Sequence, residues 1–207
     1  RRKEIWDEHL NWARGLVYYV QNDSSVPKKV REKYAPWGLC RDEFTETAGW
    51  PPQMYIREGR RMQGEYVLTQ KDLMKDLRKK DCVGMAGYNI DIREVQWVSL
   101  RTFFFPNAAD ELYMEGYVSQ PVEPWDIPYR ALLPRAKECR NLLVPVCLSS
   151  SAVAFASFRM EPQFMIAGQA AGTAAAMAAK SGIPVHNVPI DELQKNLAAA
   201  GQILRAP

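Results

Sequence analysis

The sequence predicts a mixed α/β (α+β) fold, and three observations lead to that class. Of the 207 residues, 47% are hydrophobic and 25% are charged, a balance typical of a globular chain. Apolar side chains recur every three or four residues near both ends of the chain, which indicates amphipathic helices. Between them, short apolar runs bounded by Gly, Pro and Asn indicate strands.

The chain begins with a predicted amphipathic helix over residues 1–21. The side chains of its inner face recur at helical spacing, at Ile5, His9, Trp12, Leu16 and Tyr19. A polar turn over residues 22–25 ends this helix, and Pro27 suits the first turn of a shorter helix that reaches Tyr34. Residues 45–52 are predicted to form a loop.

The middle of the chain predicts short strands around one capped helix. Strands are predicted over residues 54–56, 63–68, 82–90, 94–105 and 113–118. Thr69 followed by Asp72 is an N-cap pattern for a helix whose apolar face holds Leu73 and Leu77. Gly84 and Gly87 allow another segment to approach the strand over 82–90 closely. Residues 121–134 are rich in Pro and are expected to be extended.

Residues 141–182 are the most informative segment. The apolar run 142–148 predicts a buried strand, and a serine-rich loop that ends in Arg159-Met160-Glu161-Pro162 follows it. A helix rich in Ala and Gly is predicted from there to Lys180, and Gly182 stops it. We expect Gly168, Gly172 and Ala175 to form the face that packs this helix on a sheet. A last helix is predicted over residues 191–200.

A strand, a polar loop and a small-residue helix suit a cofactor that lies across a helix N-terminus. The unpaired N–H groups and the helix dipole at that end stabilise negative charge. Pro162 fits the first helical turn, so the flanking N–H groups are free to face a ligand.

Four pieces of sequence resemble, in their order along the chain, the FAD-dependent oxidoreductases with a glutathione-reductase-type FAD fold. They are residues 55–69, Tyr88-Asn89-Ile90-Asp91, residues 127–134 and residues 141–182. The resemblance covers residues 54–207. It implies that residues 1–140 are part of a substrate or cap domain with a mixed sheet. Residues 141–207 would be the C-terminal strand–helix segment of an FAD-binding domain.

The resemblance implies FAD as the cofactor and places the start of the long helix against the pyrimidine end of the isoalloxazine ring. The candidate cofactor-binding residues are Ser149, Ser150, Ser151, Arg159, Met160, Glu161 and Gln163. The implied reaction is hydride transfer from an unknown organic small molecule to flavin N5. An alternative is structural: Glu161 satisfies the helix dipole and Arg159 pairs with it.

Candidate substrate-binding residues lie in three charged or polar stretches of the same resemblance. They are Arg57, Arg60, Arg61, Tyr88, Asp91, Arg93, Tyr129 and Arg130. Each stretch also has an ordinary explanation: an Arg–Glu network in a solvated hairpin, a turn formed by Asn and Asp, or an arginine that bridges domains.

The chain departs from the family pattern at three places. Relatives commonly carry a His where Arg93 and Ala152 stand here, and Pro145-Val146 replace a widespread Ala-Gly-Arg. A general base is therefore missing from the places where the family supplies a His. His9 and His186 are predicted to be ordinary, partly exposed histidines. The alternative function is a non-catalytic binding or scaffold module that retains the flavoprotein fold.

The strand–GxGxxG–helix unit that binds the pyrophosphate in such flavoproteins does not occur in the sequence. Gly84-Met85-Ala86-Gly87 has the wrong spacing. The chain also starts at Arg1, already in helical periodicity. These observations predict the C-terminal part of a longer protein whose partner is the missing N-terminal FAD-binding half. Alone, the chain is expected to be inactive and to bind FAD weakly or not at all.

Composition argues against several other classes of function. The net charge of +3 is small and no concentrated basic patch is visible, so no nucleic-acid partner is predicted. The longest apolar region, residues 164–179, is shorter than the roughly 20 residues of a membrane span. The four cysteines lack CxxC spacing, so no metal site is predicted.

Cys82 and Cys147 are predicted to be buried free thiols, because both lie in apolar, strand-like surroundings. Free thiols favour a reducing compartment such as the cytoplasm. A signal peptide in the missing N-terminal sequence is the alternative, so the compartment is left open.

Overall fold

The computed structural model describes residues 1–99 and 112–205, and these residues form a mixed α+β fold. The chain divides into two compact units, residues 1–56 and residues 57–207. This division differs from the predicted boundary at residue 140, which concerns the domains of a longer protein and stays a prediction.

The first unit is helical. Helix α1 (Arg2–Asn22) and helix α2 (Lys28–Tyr34) confirm the two predicted helices, and a 3₁₀ turn (Thr45–Thr47) lies in the predicted loop. The Gln21 side-chain amide donates to the carbonyl oxygens of Tyr34, at 2.9 Å, and Trp37, at 2.7 Å. These bonds join the end of α1 to the end of α2. Val26 is the one buried side chain among residues 1–56.

The described strands of the second unit form three antiparallel pairs. Strand β1 (Cys82–Ala86) pairs with β6 (Trp125–Pro128), and β2 (Ile90–Ile92) pairs with β5 (Val118–Gln120). Strand β3 (Gln96–Ser99) pairs with β4 (Leu112–Glu115). The register of the second pair places Asp91 opposite Ser119.

The described part of the second unit also contains four helices: α3 (Gln70–Met74), α4 (Ala152–Phe158), α5 (Glu161–Ser181) and α6 (Ile190–Ala199). The Thr69 cap of α3, the long α5 with Pro162 in its first turn, and α6 confirm the starts of the predicted helices. Helix α3 is shorter than predicted: it ends at Met74, so Leu77 lies beyond it. Gly182 ends α5 with φ +64°, a conformation that Gly adopts without steric cost.

One hydrophobic core joins these elements. Val83 of β1 and Trp125 and Ile127 of β6 are fully buried, and they share this core with α4, α5 and α6. The α6 side chains Leu193 and Leu197 are fully buried, as their spacing predicts. This core draws its residues from the second unit, between Leu68 and Leu197.

The predicted packing face of α5 is wrong. Its buried face consists of Gln163, Ala167, Ala170, Ala171, Ala174 and Ala178. A Cβ added at Gly168 or Gly172 would meet nothing within 4 Å, and Ala175 is exposed. The alanine stripe recurs every three or four residues and therefore faces the core, while the two glycines lie outside it.

The predicted buried strand over 142–148 is also wrong. Residues 145–147 form a bend, residues 142–147 are half-buried or exposed, and the segment bonds to two different neighbours instead of joining one ladder. The N–H of Val144 donates to the carbonyl of Leu132, and the N–H of Met62 donates to the carbonyl of Cys147, both at 2.9 Å. Pro145 cannot donate, which explains why no continuous ladder forms. Cys147 is exposed, against expectation, whereas Cys82 is buried.

Other predicted strands differ in extent. Residues 54–56 and 63–68 form no strand and contribute only the isolated bridges of Gly64 with Pro134 and Leu68 with Ser150. The stretch 82–90 is interrupted by a break over residues 87–89 between β1 and β2. Only the first part of the predicted strand over 94–105 is seen, as β3, because residues 100–105 lie outside the described residues.

Three further stretches contain structure that was not predicted from the sequence. Gly116, with φ +82°, forms the turn that separates β4 from β5 within the predicted strand over 113–118. The predicted extended stretch over 121–134 contains both β6 and a 3₁₀ turn, Tyr129–Leu132. Helix α4 replaces the predicted loop over 152–158.

Candidate functional site

Helix α4 links the two groups of predicted cofactor residues. Ser151 caps its start, where the hydroxyl oxygen accepts from the N–H of Ala154 at 3.2 Å. Arg159 follows the last residue of α4, and Met160 occupies the N-cap position of α5. A helix of seven residues is about 10 Å long, so the serines and Arg159 lie at opposite ends of α4. We call the segment from Phe158 to Glu161 the α4–α5 junction.

Arg159 pairs with Asp91 and not with Glu161. Its Nη2 donates to the Asp91 carboxylate at 2.8 Å and to the Asp91 carbonyl oxygen at 3.1 Å. Only 5% of the arginine side chain and 15% of the aspartate side chain are exposed. The structure therefore joins a predicted cofactor residue to a predicted substrate residue, and the suggested Arg159–Glu161 pair is wrong.

A second contact ties the same segments together. The Ser157 hydroxyl donates to the carbonyl oxygen of Tyr88, while the Tyr88 side chain is partly exposed. The Gln163 side chain is buried, and in the orientation its surroundings require its amide nitrogen donates to the carbonyls of Ser157, at 2.8 Å, and Phe158, at 2.7 Å. Gln163 thus satisfies the last carbonyls of α4 from within α5 and holds the α4–α5 junction in shape.

The start of α5 has the properties of an anion site. Met160 provides no side-chain cap, and Glu161 and Pro162 are exposed. The N-terminal N–H groups of a helix and its dipole favour negative charge. The Nε of Arg159 is buried without a hydrogen-bond partner within the described part of the chain. Of the two N–H groups that flank Pro162, that of Gln163 donates to the Met160 carbonyl at 3.0 Å, so the expectation that both are free to face a ligand is wrong for Gln163.

At the other end of α4, the serines lie against the basic turn of residues 57–61. The Arg61 Nε donates to the carbonyl oxygen of Ser150 at 3.1 Å, and its guanidinium lies 5.5 Å from the ring centre of Phe155. The Ser149 hydroxyl accepts from the N–H of Gly64 at 2.9 Å. Ser150 is buried, and its hydroxyl finds no partner among the described residues.

A third polar cluster centres on Asp72, which is buried. Its carboxylate accepts from the Tyr66 hydroxyl, from the N–H of Thr69 at 2.8 Å, and from Lys79 Nζ at 3.1 Å. Burial acts to raise the pKa of Asp72, but the hydrogen bonds from these three residues outweigh it and leave the pKa below its ordinary value. Burial, together with the Asp72 carboxylate, raises the pKa of Tyr66 to about 12.

Arg130 belongs to this cluster. Its guanidinium lies 4.3 Å from the ring centre of Tyr66 and 3.1 Å from the Asp81 carboxylate. The Tyr129 hydroxyl donates to the carbonyl of Val185 at 2.8 Å, and the tyrosine is buried. Burial raises the pKa of Tyr129 well above its usual range. Tyr129 is a core residue, so the geometry gives it no open face for a substrate.

The remaining predicted substrate residues are exposed. Arg57, Arg60 and Arg93 lie on the surface, and Arg61 is 3.8 Å from the Glu58 carboxylate. His9 is exposed and His186 is half-buried, in agreement with the predicted partial exposure. A ring nitrogen of His9 lies 2.8 Å from the carbonyl of Ile5, and one of His186 lies 2.8 Å from that of Pro134.

Sequence reasoning missed Phe155, Ser157 and Asp72 as parts of these clusters. Phe155 and Ser157 lie in the stretch that was predicted as a loop and that forms α4, so their positions on a helix were not predicted. Asp72 was recognised only as a capping residue, and its later partner Lys79 gives no local signal. The described residues contain no group of three or more His, Cys, Asp or Glu that could hold a metal ion. Among the described helices, none combines the length and the hydrophobicity needed to cross a membrane.

Comparison with known proteins gives one match. A family model with the description FAD dependent oxidoreductase matches residues 1–197. The match includes residues 1–53, which precede the four pieces of sequence on which the resemblance depends. No curated protein and no solved structure matches the chain.

Proposed function

The chain belongs to the family of FAD-dependent oxidoreductases, and we propose that its α4–α5 junction lies against the flavin. One observation carries this proposal: α5 begins without a side-chain cap, is exposed at Glu161 and Pro162, and has the buried Arg159 beside it. Such a start offers backbone donors and the positive end of the helix dipole to a ligand with negative charge.

Within this proposal the residues of the chain have distinct roles. The backbone of Met160 and Glu161 binds the electron-rich edge of the ring, and Gln163 keeps the α4–α5 junction rigid. Ser149, Ser150 and Ser151 form the polar wall at the start of α4. Bound FAD supplies the hydride acceptor, flavin N5, for an organic substrate.

Arg61 is the substrate-side residue that the geometry favours. Its side chain is 22% exposed and contacts three neighbouring groups: the Phe155 ring, the Ser150 carbonyl and the Glu58 carboxylate. A fixed, partly exposed guanidinium suits a carboxylate or another anionic group. We propose an anionic small-molecule substrate on this side, with the exposed Arg57 and Arg60 adding to the positive charge.

We also propose that the pyrophosphate of FAD is held by sequence outside these 207 residues. No strand–GxGxxG–helix unit is present in them, and only such a Gly-rich turn lets the backbone approach the pyrophosphate closely. The chain alone is then expected to bind FAD weakly or not at all. The missing half is its required partner.

The test compares the visible absorption of two purified proteins, the product of the complete reading frame and the 207-residue chain. The longer protein should retain stoichiometric flavin through gel filtration, and the chain alone should lose it. A longer protein that carries no flavin and cannot be loaded with FAD would contradict the proposal. That outcome would support the alternative, a non-catalytic scaffold, which the exposed Arg93 and Ala152 at the family's His positions favour.

A further inference from the structure

The buried arginine beside the α4–α5 junction has its own counter-ion on another element. Arg159 Nη2 lies 2.8 Å from the Asp91 carboxylate, and 68 residues of sequence separate the two. Asp91 is the central residue of β2 and is held there by pairing with Ser119 of β5. The carboxylate is therefore positioned by a strand and not by a mobile loop.

We propose that Asp91 is a positioning residue that masks the charge of Arg159, so that the pair, and not the arginine alone, sets the charge around the flavin. This inference rests on the proposed function, which places the flavin at the α4–α5 junction. It also reassigns Asp91, which was expected to bind substrate.

Burial makes the masking necessary. A charge removed from water is costly unless it is paired, and the pair here is almost fully enclosed. Because electrostatic interactions inside a protein are screened less than in water, an unmasked Arg159 would act strongly on any neighbouring ring. With Asp91 in place the pair has no net charge. The positive end of the α5 dipole then remains as the electrostatic feature that faces the ligand.

A second contact provides a neutral control. The Ser157 hydroxyl of α4 donates to the carbonyl of Tyr88, which lies just before β2. This bond links nearly the same two segments as the contact of Arg159 with Asp91. Ser157→Ala loosens this connection and changes no charge. Asp91→Asn changes one charge and keeps an oxygen within reach of Arg159 Nη2.

The experiment measures the midpoint potential of flavin in the flavin-loaded protein. Asp91→Asn leaves Arg159 unmasked, which favours anionic reduced flavin and raises the potential. Arg159→Met leaves Asp91 unmasked and lowers it. We expect each change to be about tenfold in the equilibrium between oxidised and reduced flavin, or about 30 mV for a two-electron couple. The double variant, which removes both charges, should return to the wild-type potential, and Ser157→Ala should stay there.

Thermal unfolding of the flavin-free protein provides the second readout. Asp91→Asn should lower Tm because it leaves a buried charge unpaired, and the double variant should recover part of the loss. If Asp91→Asn does not fold, Arg159→Met and the double variant still decide the question. Arg159→Met should differ from wild type in flavin potential, and the double variant should not.

Equal potentials in wild type, Arg159→Met and the double variant would overturn the role of Asp91 while leaving the flavin site intact. A potential that Ser157→Ala shifts as much as Asp91→Asn does would show a purely structural link and would overturn it too. A wild-type protein that binds no flavin would instead contradict the proposed function, and this inference with it.

Discussion

Gly84 of β1 lies directly against Ile166 of α5: a Cβ on the glycine would lie 2.1 Å from Ile166 Cγ2. Real Cβ atoms do not approach another carbon so closely, so β1 and α5 pack at a separation that only Gly permits. The neighbouring residues Val83 and Ala167 are both buried in the hydrophobic core. The close approach of helix and sheet therefore depends on the strand glycine and not on the glycines of the helix.

Gly84→Ala is expected to destabilise the protein. The added methyl group overpacks the contact with Ile166, which costs about 1–3 kcal/mol. Gly172→Ala is the matched control, because its Cβ meets nothing within 4 Å and Ala is favoured over Gly in a helix by about 0.5–1 kcal/mol. Urea unfolding of both variants measures the two free energies. A Gly84→Ala variant as stable as wild type would show that β1 and α5 are not in close contact.

The helix ends were predictable from sequence because local chemistry determines them. Thr69 and Asp72 cap α3, Pro162 lies in the first turn of α5, and Gly182 ends it, each through interactions within a few residues. Gly84 was recognised as a site of close approach because a glycine within an apolar strand pattern indicates one, although its neighbour Ile166 was not predicted.

The strands and the pairing in the candidate site were not predictable in the same way. The run over 142–148 is apolar enough for a strand, but its hydrogen-bond partners are set by Leu132 and Met62, which are remote in sequence. Arg159 was recognised as a site residue, yet Asp91 as its partner depends on how β2 packs beside α4. Contacts between distant segments leave no periodic signal in the sequence.

Asp72→Asn should lower the free energy of unfolding near neutral pH and should lower it less in acid. Its ionised carboxylate is nearly buried with Lys79, and removing one partner of a buried pair costs about 3 kcal/mol or more. The pKa of Asp72 is lowered in the folded state. Its contribution is therefore fully present above the unfolded value of about 3.9 and is lost as pH falls through the folded pKa.

Urea unfolding of wild type and variant at neutral pH and below about pH 4 measures this difference. Asp76→Asn is the matched control, since Asp76 pairs with Lys71 at 3.1 Å but both side chains are more than half exposed. An exposed pair contributes little, at most about 1 kcal/mol. A stability gap between wild type and Asp72→Asn that stays constant into acid would contradict the lowered pKa.

The cysteines should differ sharply in reactivity, which tests the fold of the second unit directly. The Cys82 thiol is buried and lies 3.3 Å from the carbonyl oxygen of Gly84 and 3.2 Å from that of Leu204. Burial, with the nearby Asp126 carboxylate, raises the pKa of Cys82 to about 12. Because the thiolate is the reactive form, Cys82 should be nearly inert in the folded protein.

Cys147 provides the contrast, because it is exposed in the same unit. Iodoacetamide labelling followed by mass spectrometry of peptides should modify Cys147 quickly and Cys82 only after the protein is unfolded in urea. Because Cys40 is exposed as well, each cysteine is followed in its own peptide. A Cys147→Ser variant should lose only the fast labelling of the peptide that contains residue 147 and should keep the slow labelling of Cys82. Labelling of Cys82 at the rate of Cys147 under native conditions would mean that β1 is open to solvent. In that case the close contact of Gly84 with Ile166, two residues along the strand, could not persist either.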